Sequence, residues 1–174
     1  ILANAHLARA LRPAAHLPLR AVRGQVSLFP AADAAGPRIA VCREGYVTPA
    51  IDGVHCLGAS FNEGVFEEHP RSEDHAANLQ RLTRMLPDFG AGLDAAAFAG
   101  RVAFRAMSPD RLPVLGQINA QPGLYACLAL GSRGMTWSAL AAELVASRID
   151  GDPLPLERDL VAALSPDRFG VKLA

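Results

Sequence analysis

The chain has 174 residues, 51% of them hydrophobic, with 17 basic side chains against 17 acidic ones. It is long and apolar enough to bury a core, and too evenly charged to carry the overall basic footprint of a nucleic-acid-binding domain. That composition excludes a disordered tail, and no apolar run approaches the roughly 20 residues that cross a bilayer. Residues 1–32 hold Arg9, Arg12, Arg20 and Arg23 with no acid, a pattern that reads as a solvated edge. Three cysteines (Cys42, Cys56, Cys127) without a CxxC pair argue against a disulfide framework or a zinc ribbon, and point to a reducing, cytoplasmic setting. His55, Cys56, Cys42 and His69 fit no standard metal spacing, so they read as structural residues and no metal is expected.

The opening "ILANAHLARAL" lacks a charged leader and an initiating methionine. It reads as the end of a strand followed by a helical turn, and we expect further chain upstream. "LPLRAVRGQVSLFP" (17–30) predicts a short strand opened at Gly24. "RIAVCREGYVTPAIDGVHCLGASF" (38–61) predicts two strands meeting in a tight hairpin at Asp52-Gly53, with Pro49 at an edge or bulge. In "PRSEDHAANLQRLTRMLPDFG", Ser72 is the expected cap of a helix. Glu73 and Asp74 suit its first turn, Leu79, Leu82 and Leu86 form its apolar face, and Pro87 ends it. Alternation returns over 100–118, broken by Ser-Pro-Asp. A strand over Tyr125–Gly131 then leads through Gly131-Ser132-Arg133-Gly134 into a long alanine-rich helix ending at Gly151, and the tail adds prolines and a short helix. Strands, a helix, more strands and one β-turn-α unit combine an antiparallel sheet with a piece of a nucleotide-binding layer, an α+β class. No GxGxxG occurs, so a dinucleotide-binding fold is not complete within these residues.

Two stretches and one aromatic could carry chemistry. The Gly-x-x-Gly turn at 131–134 is a weak signal by itself. An RNA-clamping loop joins two helices, whereas a strand precedes this turn, which leaves tight packing and anion binding by a helix start as equal readings. Ala139, Ala141, Ala142 and Ala146 would let that helix approach a neighbouring layer closely. Arg105 lies in the apolar run "VAFRAM", where an arginine is either an edge-strand residue in solvent or a planar fork engaged by a carboxylate or phosphate. Tyr46, in "REGYVTP", is either a core aromatic with a wet hydroxyl or a site residue.

The ordered set "LANAH", "PLRAVRGQV", "REGYVTPAIDGVHCLGAS", "FRAMSPDRLPVLG" and "LYACLALGSRGMTWSALAAELVASRI" resembles the glycine/D-amino-acid oxidase family of FAD-dependent oxidoreductases, across essentially the whole chain. "GQVS", "GYVTPA", "LGASF", "SEDHAANLQRL", "ALGSRGM" and the tail "DPLPLERDLVAALSPDRF" are similar to the tRNA-modifying members of that family. The resemblance implies residues 1–16 as the end of the first part of an FAD-binding fold and 17–118 as an antiparallel substrate-binding sheet. Residues 119–174 would be the returning βα segment and tail of an incomplete Rossmann-like layer. It implies FAD as cofactor of the full-length parent and tRNA as its substrate, with a fused S-adenosylmethionine-dependent methyltransferase upstream. The implied reaction oxidatively removes the carboxymethyl group from 5-carboxymethylaminomethyl-2-thiouridine at the wobble position. Arg105 would hold the substrate carboxylate, with Arg133 as second candidate and Tyr46 as a neighbour. Gly131, Ser132, Arg133, Gly134 and Met135 would face the flavin, and no side chain is required as general base. The alternatives are a flavoenzyme for a free small amino acid or secondary amine, and an isolated substrate domain that neither binds FAD nor turns over.

Overall fold

The computed structural model describes residues 1–31, 36–119 and 121–170. The chain divides into two compact units, Ile1–Val22 with Arg105–Ala174, and Arg23–Phe104.

In the second of these, β1 (Arg20–Pro30) is an unbroken strand, longer than the short one expected from Gly24. Its alternate residues Arg23, Gln25, Ser27 and Phe29 are all buried, a face that turns from polar to apolar along its length. β1 pairs antiparallel with β4 (Val54–Gly58), with Ser27 opposite Leu57 and Phe29 opposite His55. β4 in turn pairs with β3 (Tyr46–Val47), and β3 with β2 (Val41–Cys42). The predicted hairpin forms: Ile51 and Val54 exchange backbone hydrogen bonds of 3.0 Å each way, with Asp52 at φ 50° and Gly53 at φ 76°. The run before it is two short strands instead of one, and Pro49 lies outside both. β5 (Asn62–Glu63) lies on the other side of β1, and β6 (Ala99–Met107) also pairs with β1.

Helix α1 (Ser72–Met85) buries Leu82 against Phe29, Val47 and Leu57, with Leu79 and Leu86 packed at the margin, as its spacing predicts. Pro87 ends α1 and opens the short α2 (Pro87–Gly90). The expected cap is corrected by the structure. Ser72 is already helical, and Arg71 occupies the capping position without a side-chain capping bond. Gln25, reaching from β1, takes the Arg71 N–H at 2.7 Å and gives its own amide to the Arg71 carbonyl at 2.8 Å. A neighbouring strand thus fixes the backbone at the residue where α1 begins.

In the other unit, β7 (Val114–Gln117) and β8 (Tyr125–Leu128) form an antiparallel hairpin buried on both faces. One face packs Val114, Ala126 and Leu128 with Ala8, Leu17 and Leu19. The other packs Leu115 with Ala141, Leu144 and Val145 of α3 (Gly134–Asp150) and with Val161 and Leu164 of α4 (Arg158–Leu164). The first residues lie in strand-like register, Leu2 bridging Ala126 in parallel. Gly151 takes φ 78° and closes α3 as a left-handed cap. β8 stops at Leu128, three residues short of the expected end, because Ala129 turns the chain at φ 56°.

Candidate functional site

The turn after β8 is a short 3-10 segment, Gly131–Arg133, running directly into α3. Gly131 sits at φ 61°, and a Cβ there would come within 3.0 Å of Met107 Sδ. Gly131 is therefore glycine for both conformation and space. Gly134 is different. Its φ of −54° is ordinary helix, and a Cβ would meet only Leu130 Cβ at 3.6 Å. Nothing within the described residues demands a glycine there. Arg133 occupies the position before α3 and makes no side-chain capping bond to it. Ser132 and Arg133 are exposed, and Met135 is 91% exposed. The 17-residue α3 starts directly after this 3-10 segment, with its positive dipole end at the turn.

Met107 connects this turn to Arg105. The two residues lie two apart on β6, so they share one face of the strand, and Met107 packs on Gly131. Arg105 is half-buried on that face. The Gly131–Met135 turn, Met107 and Arg105 all lie in the same compact unit. Tyr46 belongs to the other unit. It pairs with Gly58, where a Cβ would come within 2.7 Å of the Tyr46 hydroxyl. Burial raises the Cys56 thiol above its ordinary range, opposed by a hydrogen bond with Tyr46 and by the charge of Arg101. The Cys127 thiol is likewise raised by burial, and all three cysteines are free. His55, weighed as a ligand and read as structural, stacks on Phe29 and bonds the Thr48 carbonyl through Nδ1 at 2.9 Å.

Sequence reading missed a buried polar network in the sheet unit. The fully buried Arg23 forms an ion pair with Asp74. It also donates to Gln25 Oε1 at 2.9 Å and to the carbonyls of Glu67 and His69 at 2.7 Å each. Asn62 donates to the second Asp74 oxygen at 2.9 Å. One step along, Ser27 Oγ and His75 Nδ1 lie 2.7 Å apart, and Asn78 donates to Ser27 Oγ at 3.1 Å and to the Gln25 carbonyl at 3.2 Å. Desolvation lowers the His75 pKa below 6.5, against the opposing charge of Asp74. The available signal was the period: Arg23, Gln25 and Ser27 at strand spacing, and Asp74, His75 and Asn78 at helix spacing. The network is internally satisfied and holds α1 to β1. Among the described residues no group of three or more His, Cys, Asp and Glu side chains could hold a metal ion.

The chain belongs to the FAD dependent oxidoreductase (DAO) family, which residues 1–148 match. It is 48% identical over 184 residues to the tRNA 5-methylaminomethyl-2-thiouridine biosynthesis bifunctional protein MnmC of Aromatoleum aromaticum, covering 97% of this chain and 29% of that protein. It is 40% identical over 194 residues to the protein of the same name from Burkholderia mallei (strain SAVP1), covering 99% and 30%. The chain thus spans less than a third of these relatives. Its fold is that of glycine oxidase from Geobacillus kaustophilus, with TM-score 0.73, 21% identity, and coverage of 87% of this chain and 40% of that one. L-proline dehydrogenase from P. horikoshii gives TM-score 0.73 at 18% identity, covering 96% and 46%. FAD is the family's cofactor, and at the turn a Cβ on Gly134 would meet only Leu130 Cβ, at 3.6 Å. No helix among the described residues is long and apolar enough to cross a membrane.

Proposed function

We propose that this chain is part of an oxidoreductase that removes the carboxymethyl group from 5-carboxymethylaminomethyl-2-thiouridine at the tRNA wobble position, leaving the 5-aminomethyl base. The observation that carries this reading is the identity of 40% to 48%, over nearly the whole chain, to relatives named for that tRNA pathway. The longer protein would hold FAD, and its relatives' description as bifunctional supports a second, methyl-transferring half elsewhere in it.

FAD, when bound, supplies the two-electron oxidation of the carbon between the substrate amine and carboxylate, after which water releases the aminomethyl base. The residues present here do the positioning. The modified base carries a glycine-like arm, a secondary amine one carbon from a carboxylate. Arg105 offers a planar pair of donors that fixes such a carboxylate with little rotational freedom left. Arg133, exposed on the turn, is a second cation for the same group. The first N–H groups of α3 and its positive end favour electron density accumulating beside the turn.

The test uses the complete gene product and tRNA bearing the carboxymethylaminomethyl base, with nucleoside mass spectrometry as readout. The wild-type protein should produce the aminomethyl base. Arg105→Lys keeps the charge but loses the fork, and should cut turnover by about 10²-fold while bound FAD stays near stoichiometric. Oxidation of free glycine or sarcosine in place of the tRNA would overturn the substrate assignment. Undiminished activity of the lysine variant would remove Arg105 from the site.

A further inference from the structure

Beyond residue 148, where the family match ends, lie the short helix α4 and a 3-10 turn, Pro166–Phe169. Arg168 in that turn is unusually well held. Its Nε donates to Asp110 Oδ2 at 2.7 Å, and its Nη2 donates to Asp110 Oδ1 at 3.2 Å and to the Leu112 carbonyl at 3.0 Å. Its Nη1 donates to the carbonyls of Leu164 and Ser165 at 2.9 and 3.0 Å, so every guanidinium N–H has an acceptor. The guanidinium also lies 4.2 Å from the centre of the Phe169 ring, which packs on the core of this unit. On the far side of the clasp the connection from β6 to β7 is drawn tight. Ser108, fully buried, donates to the Leu112 carbonyl at 2.6 Å, and Asp110 Oδ1 accepts the Leu112 N–H at 3.0 Å. The turn carrying Arg168 is itself pinned: Ser165 caps it through the Asp167 N–H, and Asn119 donates to Asp167 at 2.6 Å.

The residue immediately before Ser108 is Met107, whose sulfur fills the space over Gly131. The connection that Arg168 grips is therefore the anchor of the strand end that carries Arg105 and Met107. We propose that Arg168 is a positioning residue for the candidate site: by clasping Asp110 and Leu112 it fixes the end of β6, and through Met107 it seats the Gly131 turn and aims Arg105. Its functional consequence rests on the reading of Arg105 and the turn given above; its structural part, the coupling of the tail to residues 130–135, does not.

The test takes Arg168→Ala and Asp110→Asn in the complete gene product, the second as a near-isosteric change that keeps the fold. Hydrogen exchange is followed at residues 105–112 and 130–135. Acetate is titrated against the flavin absorption spectrum, with Arg105→Lys for comparison. We expect faster exchange in both segments for both variants. We also expect acetate affinity to be weakened by about tenfold with FAD retained, the size that a small misplacement of a binding group produces. Arg168→Lys should recover part of both. Faster exchange at 105–112 alone, with 130–135 and acetate affinity unchanged, would overturn the proposal. If Arg105→Lys leaves acetate affinity intact, the carboxylate site itself is wrong. The exchange at 130–135 then decides the coupling by itself: faster supports it, unchanged overturns it.

Discussion

Gly131 and Gly134 stand three residues apart in one turn and have opposite reasons for being glycine. Gly131 needs its missing Cβ, because its φ is 61° and Met107 Sδ occupies the space. A valine there is strained and crowded, and Gly131→Val should lower the melting temperature of the protein whether or not flavin is present. Gly134 has helical angles and open space around its Cβ position. Gly134→Val should therefore leave the fold about as stable as before, since valine is a better helix former than glycine and restricts the unfolded chain. If a flavin ring lies against the turn, the same change should abolish FAD binding. Melting temperature and bound FAD, measured together on both variants of the complete protein, separate the two roles. A Gly134→Val protein that stays yellow and active would remove the turn from the cofactor site.

At the scale of elements, the attachment of α1 to β1 is polar at one end and apolar at the other, and the polar end is the vulnerable one. Arg23→Ala or Asp74→Ala leaves a buried charge without its partner, and each should cost about 3–5 kcal/mol in equilibrium unfolding. The double change should cost clearly less than the sum of the two, since neither charge is then left alone. Additive losses would show that the pair is not the connection. His75 gives the same attachment a pH dependence. Its folded pKa lies below 6.5 because burial disfavours the charged form, so the unfolded chain binds the proton more tightly. The stability it contributes is present above pH 6.5 and is lost as the pH falls below that value towards the depressed one. Thermal unfolding followed from about pH 8 to pH 5 should show this loss, and His75→Gln should flatten it. A wild-type profile no steeper than that of the glutamine variant would contradict the assignment.

At the scale of the molecule, the chain covers 29% of its Aromatoleum relative and contains no GxGxxG. That motif supplies the close approach to a pyrophosphate in dinucleotide-binding folds. Without that motif, these 174 residues expressed by themselves should purify colourless. A stoichiometric flavin spectrum from them would overturn that expectation. The sheet unit, by contrast, has its own apolar cluster around Phe29, Leu57 and Leu82 and its own satisfied polar network.

What the sequence determined by itself is what depends on near neighbours along the chain. The Asp52-Gly53 hairpin, the Leu79-Leu82-Leu86 face, the stop at Pro87 and the left-handed Gly151 all follow from local dihedral preference and periodicity, and all are present. The glycine turn and Arg105 were legible as unusual residues, but composition and spacing left packing and ligand binding open for both. Tertiary structure decided what depends on partners distant in sequence. Gln25 holds the backbone of Arg71 at the start of α1 across 46 positions, where Ser72 does not cap. Asp74, 51 residues from Arg23, makes a buried arginine tolerable. Met107 separates Gly131 from Gly134, and Arg168 reaches back 58 residues to Asp110. A hydrogen bond or a filled space acts over a few ångströms and is blind to sequence separation, so no local pattern in the chain announces it.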